Sequence, residues 1–207
     1  MTKYIVVCRG GAAENSVAFY QEPCMSTEAL YEAGPDDVVF PLMVYTRNQL
    51  IWGETLTKKT IRFLTLMRTP MRPSYIVLYK AKILPHGAHA PLAFPVVHIP
   101  IANVLAVHPA PPEQEPYDYD EGEKNRKFEP VTILVGDFRM DGKVRISTRT
   151  NVTQTLDVAK EPYTAVYDVS VSSLSLPNRN PLRTRMAVIR HTGAVLAAYS
   201  TTMEKSL

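Results

Sequence analysis

Cysteine is scarce: the 207 residues hold two, Cys8 and Cys24. Neither lies in a C-x-x-C pair, so a disulfide scaffold and the common zinc and redox motifs are excluded. Two reduced thiols in a reducing compartment are the expectation, with a single Cys8–Cys24 bridge the alternative. Long apolar runs are missing too. None approaches the ~18 residues of a membrane helix, and the greasiest stretches, such as Tyr75-Ile-Val-Leu-Tyr79, have strand length. The apolar run Tyr4–Val7 is too short for the core of a signal peptide. A cytoplasmic protein with no membrane partner is therefore expected.

Catalytic signatures are lacking as well. The sequence has no G-x-S-x-G, no H-E-x-x-H and no phosphate loop, and the Gly10-Gly11 pair is followed by neither G-x-G-x-x-G nor G-K-[ST]. Asp118, Asp120, Glu121 and Glu123 cluster in a proline-rich stretch that offers acid–base chemistry no rigid frame. His86 and His89 have H-x-x-H spacing, with His98 and His108 downstream and His191 further on. No Cys, Asp or Glu between residues 55 and 112 completes a ligand set. The expectation is no enzyme, no metal and no cofactor.

Charge is unevenly placed. Residues 1–54 carry three basic and seven acidic groups, residues 55–112 seven basic and none acidic. Residues 113–129 carry three basic and seven acidic, and residues 130–207 ten basic and six acidic. Two basic blocks are thus separated by an acidic connector. From residue 42 onward, β-branched and aromatic residues come in short runs bounded by Pro, Gly and Asn. This predicts strands at 42–46, 49–55, 60–67, 74–84, 94–100 and 103–108, and again at 130–139, 143–149, 162–172, 184–191 and 194–200. Before them, Tyr4–Cys8 reads as a strand and Ser26–Ala33 as a short helix. Residues 110–129 read as a linker or long surface loop that Tyr117, Tyr119 and Phe128 would pack down.

The strand pattern repeats. Leu50-Ile-Trp-Gly53-Glu54 aligns with Ile133-Leu-Val-Gly136-Asp137, Ile61-Arg62-Phe63 with Val144-Arg145-Ile146, Tyr75–Ile83 with Tyr163–Val171, and Val104-Leu-Ala106 with Val195-Leu-Ala197. The predicted organisation is an N-terminal segment (1–41), a first small barrel (42–109), the connector (110–129) and a second small barrel (130–207). The fold class is all-β. Five strands in each copy, a bend near a glycine and a one-turn link between the last two strands resemble the Sm-like small barrel. The tandem arrangement with an acidic connector also resembles an uncharacterised bacterial family of unknown function. The Sm-like resemblance implies an RNA site only where its Asp-x-φ-φ-Asn loop and Arg-Gly turn are present. Here the matching loops read Leu66-Met-Arg68-Thr-Pro-Met-Arg72-Pro and Thr148-Arg149-Thr-Asn151, and no Arg-Gly precedes the last strands. No RNA-binding residue carries over.

Each candidate residue has a structural and a functional reading. Arg62 and Arg145 pair with the acid eight residues earlier, Glu54 or Asp137, or form anion sites. Lys58, Lys59, Arg68, Arg72, Arg149, Arg183 and Arg185 are candidate anion or nucleic-acid contacts; Lys80, Lys82, Arg179 and Arg190 extend the two basic stripes (58–82 and 179–190). These cations could instead solvate strand edges or meet the acidic connector. Tyr75, Tyr79, Tyr163 and Tyr167 with Trp52, the single tryptophan, are candidates for an inter-barrel pocket, or simply pack at barrel rims. The expected function is a non-catalytic structural or regulatory module that binds a protein partner or itself through strand edges and loops. The alternative is nucleic-acid binding on the basic stripes.

Overall fold

A computed structural model describes residues 33–173 and 181–198. The readings made for Cys8, Cys24, the strand at Tyr4, the helix from Ser26 and Arg179 lie outside these residues. The described chain is all-β. Its strands are β1 (Asp37–Tyr45), β2 (Gln49–Lys58), β3 (Tyr75–Pro85), β4 (Leu92–Pro100), β5 (Ala106–Pro109), β6 (Arg126–Val135), β7 (Phe138–Ser147), β8 (Tyr163–Ser173), β9 (Leu182–Arg190) and β10 (Val195–Ala198). Short helices α1 (Phe63–Met67) and α2 (Val152–Asp157) follow β2 and β7.

All ten strands form one antiparallel sheet in the order β10-β6-β7-β8-β9-β5-β1-β2-β3-β4. The sheet does not close on itself, and its ends are β10 and β4. Two separate barrels are therefore not what the strands make. Both halves nevertheless run through the same sequence of elements, two strands, a short helix, two strands and a last four-residue strand. They are joined where β5 of the first half pairs with β9 of the second, Ala106 opposite Ile189 and Val107 opposite Val188.

The packing also crosses between halves. One core gathers Leu42, Val44, Phe63, Leu64 and Leu78 with Tyr163, Tyr167, Met186 and Val188. The other gathers Val131, Ile133, Met140 and Ile146 with Tyr45, Leu105 and Ala106. At about 1.5–3 kcal/mol for each fully buried large apolar side chain, neither half keeps its core without residues of the other.

The predicted strand at 60–67 is instead largely α1. Phe63, Leu64 and Met67 are buried, and their spacing fits one turn of helix rather than alternation along a strand. In the second half α2 starts at a capping box. The Asn151 side chain accepts from the Gln154 N–H, and the Gln154 side chain accepts from the Asn151 N–H.

The correspondence between halves also differs from the sequence alignment. Gly53 matches Gly142, not Gly136. Gly53 faces Leu42 on β1, and Gly142 faces Val131 on β6. Both lie where the next strand is bulged, before Tyr79-Lys80 and Tyr167-Asp168. A Cβ on Gly53 would stand 2.7 Å from the Tyr79 carbonyl oxygen, and one on Gly142 2.9 Å from that of Tyr167. The residues after these tyrosines have left-handed backbones, φ 48° at Lys80 and 52° at Asp168. Gly136 has another task. It forms the β6–β7 turn at φ +55°, packed against the Arg47 carbonyl. The same shift separates Arg62, the residue before α1, from Arg145, which lies within β7.

Candidate functional site

The acidic connector is built into the fold. Gln114 accepts a hydrogen bond from the Arg185 N–H at 2.8 Å. The buried Glu115 carboxylate accepts from the Leu64 N–H in the first turn of α1, at 3.3 and 3.4 Å. Burial pushes this carboxyl above the usual carboxylate range, against the pull of the Leu64 and Phe63 N–H groups. Arg62 donates to the Tyr117 carbonyl at 3.2 Å, and Arg68 forms an ion pair with Asp118. The other Asp118 oxygen accepts from the Tyr167 hydroxyl at 2.6 Å.

Beyond Asp118 the connector lies on aromatic rings. Tyr119 meets Tyr167 edge-on at 5.0 Å and Phe128 at 5.4 Å, while Tyr117 lies 5.1 Å from Tyr119. Arg145 covers Tyr119 at 4.9 Å and donates to the Asp120 carbonyl and to Glu123. The Arg145 and Arg126 hydrogen bonds hold the Glu123 carboxyl below the usual range. Tyr117 donates to Asp168 at 2.7 Å, which raises the phenol to about 12 and lowers the carboxyl. The loop is thus strapped to both halves by ring packing and charge.

This arrangement corrects the hairpin pairs expected for Arg62 and Arg145. Both arginines turn to the connector. Glu54 meets Lys80 at 2.9 Å, and Asp137 meets His86. Among the candidate anion contacts, Arg68 is neutralised by Asp118. Lys58 pairs with Asp37 at 2.6 Å, and Lys59 donates to the Pro35 carbonyl at 3.0 Å. Arg72 donates to the Thr69 carbonyl at 3.2 Å. Arg149 is exposed in the turn before α2. Arg183 and Arg185 flank a shallow concavity that also contains Gln114 and Asp168.

The five residues expected in an inter-barrel pocket are not brought together. Tyr75 and Tyr79 line a concavity of the first half with Phe63 and Met71. Tyr163 and Tyr167 turn into the first core, where the Tyr163 hydroxyl donates to the Ile101 and Val104 carbonyls at 3.0 and 3.2 Å. Trp52 is half-buried between Met43 and Lys82 on neighbouring strands. A groove of about 320 Å³ does lie between the halves, but Met43, Leu50, Leu84, Phe138, Val171 and Leu182 supply its apolar walls. The contact between the His86 ring and the Asp137 carboxylate joins the two halves at this groove.

Two further features stand out, of which the sequence reading missed the first and expected the second only as open strand edges. The first is a buried pair on β5 and β1. His108 is fully buried, and its Nδ1–H donates to the Pro109 carbonyl at 2.7 Å. Nε2 then accepts from the Tyr45 hydroxyl at 2.9 Å. Burial lowers the His108 pKa to about 4 and raises that of Tyr45. The second is a pair of open sheet ends. On β4, Leu92 and Phe94 are exposed, and on β10 Val195 is 64% exposed. Among the described residues each of these strands has a neighbour on one side alone.

Among the described residues no three His, Cys, Asp or Glu side chains come together as a metal site, and no helix is long and apolar enough to cross a membrane. Compared with known proteins, the chain matches no family model, no curated protein and no solved structure.

Proposed function

We propose that this chain is a non-catalytic assembly module that works through strand edges and loops. The observation that carries the reading is the sheet order. Repeat units joined edge to edge by β5–β9 leave β4 and β10 at the two ends, each with one open side among the described residues. Open edges present unpaired N–H and C=O groups and are templates for adding strands. Pro95 and Pro100 on β4 and the shortness of β10 blunt these edges in part, but Leu92, Phe94 and Val195 leave apolar surface exposed there. The order β5-β1-β2-β3-β4 in one half and β10-β6-β7-β8-β9 in the other supports reading each half as an opened Sm-like unit, the pair arising by tandem duplication.

Nucleic-acid binding is the weaker reading, because the connector already supplies anionic partners for Arg68 and Arg145 and a backbone carbonyl for Arg62. Size-exclusion chromatography with light scattering at low and high salt, with absorbance at 260 and 280 nm, separates the two. A discrete oligomer free of nucleic acid is expected. A monomer that carries nucleic acid at low salt and sheds it at high salt would replace the assembly reading with the basic stripes.

A further inference from the structure

The seam within the chain is a template for contacts between chains. β5 and β10 hold the same place in their halves. β5 lies beside β1 with Val107 opposite Val44, and β10 lies beside β6 with Leu196 opposite Ile133. Likewise β4 corresponds to β9, because Tyr75 faces Pro100 and Tyr163 faces Arg190. Within the chain, β5 has its partner, β9. At the ends, among the described residues, β10 lacks a β9 and β4 lacks a β5.

We infer that β10 of one chain adds antiparallel to β4 of a second copy, in the register of the seam, with Val195 opposite Ile99 and Leu196 opposite His98. This inference rests on the assembly reading above and names its partner. The two ends are complementary rather than identical, so the contact is heterologous and repeats into a ring or an open filament. It would give Val195 the cover that Ala106, its counterpart in the seam, already has at 0% exposure.

The end contact lacks two features of the seam. There the Arg190 N–H donates to the Leu105 carbonyl at 2.8 Å, and the Arg190 guanidinium reaches the Ala102 carbonyl. Pro100 stands in the place of Arg190, with no N–H and no guanidinium. His98 stands in the place of Val188, a fully buried residue of the first core. The junction between chains is therefore a weaker version of the junction within one, and assembly depends on concentration.

The test uses full-length chains carrying Cys8→Ser and Cys24→Ser. One chain also carries His98→Cys and the other Leu196→Cys. The spacing of directly opposed strand residues falls within the disulfide range. Mixing and mild oxidation should give the mixed disulfide and neither like-with-like product. In parallel, His98→Val with Pro100→Arg, which copies the seam onto β4, should tighten self-association roughly tenfold, about the worth of one added hydrogen bond and buried apolar contact. Oligomers whose disulfides join two His98→Cys chains to each other, or two Leu196→Cys chains, would overturn the head-to-tail register and leave edge assembly standing. A protein that stays monomeric at high concentration, with and without the seam-copying substitutions, would overturn both.

Discussion

β5 and β10 hold equivalent places, are four residues long and flank the first strand of their halves, but they meet water differently. All four residues of β5 are buried; three of the four in β10 are exposed and the fourth is partly covered. Local strand propensity is similar in the two. What separates them is the neighbour: β5 has β1 and β9, whereas β10 has β6 alone among the described residues. Burial here follows from position in the sheet, so the same strand can be core or edge.

That contrast breaks most sharply when a charge is placed at the equivalent position of each strand. Ala106→Asp on β5 puts a carboxylate in a dry core and should cost upwards of ~3 kcal/mol, seen as a large fall in urea midpoint. Val195→Asp on β10 should change stability by less than about 0.5 kcal/mol while abolishing self-association in light scattering. Equal losses from the two would refute the difference in burial.

The next effect tests a group that β5 has and β10 lacks. His108 is held neutral, and its pKa falls from 6.5 to about 4 on folding. The unfolded chain therefore binds the extra proton between those values, and stability is lost as pH falls from about 6.5 towards 4. The loss approaches about 3 kcal/mol by linkage. Denaturant titrations at pH 7 and pH 4.5 should show it, and His108→Phe should flatten that pH dependence even if it lowers stability at pH 7. An unchanged slope in the variant would assign acid sensitivity elsewhere.

Two smaller effects sharpen the comparison of the halves. Gly53→Ala and Gly142→Ala should each cost roughly 1–3 kcal/mol, and by similar amounts, because each new methyl group would press on the carbonyl of an equivalent tyrosine. A neutral result at Gly142 would undo the match between the bulges. Tyr167→Phe removes the hydroxyl that donates to Asp118 and should cost about 1 kcal/mol. Thermal melts would register it as a shift of a few degrees.

Much of the strand plan was legible from residue types. β-branched and aromatic runs located β3 and β8 to within about two residues, and the punctuation by Pro and Gly marked most turns. The stretch 60–67 misled because a single turn of helix carries too few residues for its period to stand out from a strand. The glycine alignment failed for a related reason. Gly53 and Gly142 are selected by backbone approach at a bulge, and nothing in their neighbours announces it, whereas Gly136 followed a more similar apolar run. Paired charges were the least legible. Arg62 and Arg145 sat near plausible acids in sequence, but their partners came from the connector, many residues away. The inter-barrel pocket failed because Tyr163 and Tyr167 entered a core shared with the first half. A lone sequence does not show which strands of one half will lie behind the other.

The bulges leave one further consequence, for folding fidelity. At equivalent places the two halves carry opposite arrangements of charge: Glu54 on β2 meets Lys80 on β3, whereas Lys143 on β7 meets Asp168 on β8. Two similar halves on one chain invite β2 to pair with β8, or β7 with β3, while the chain is collapsing. The first error sets Glu54 against Asp168, and the second sets Lys143 against Lys80. Like charges brought together across a strand pair disfavour it, so the exchange of sign between the halves works against both mispairings.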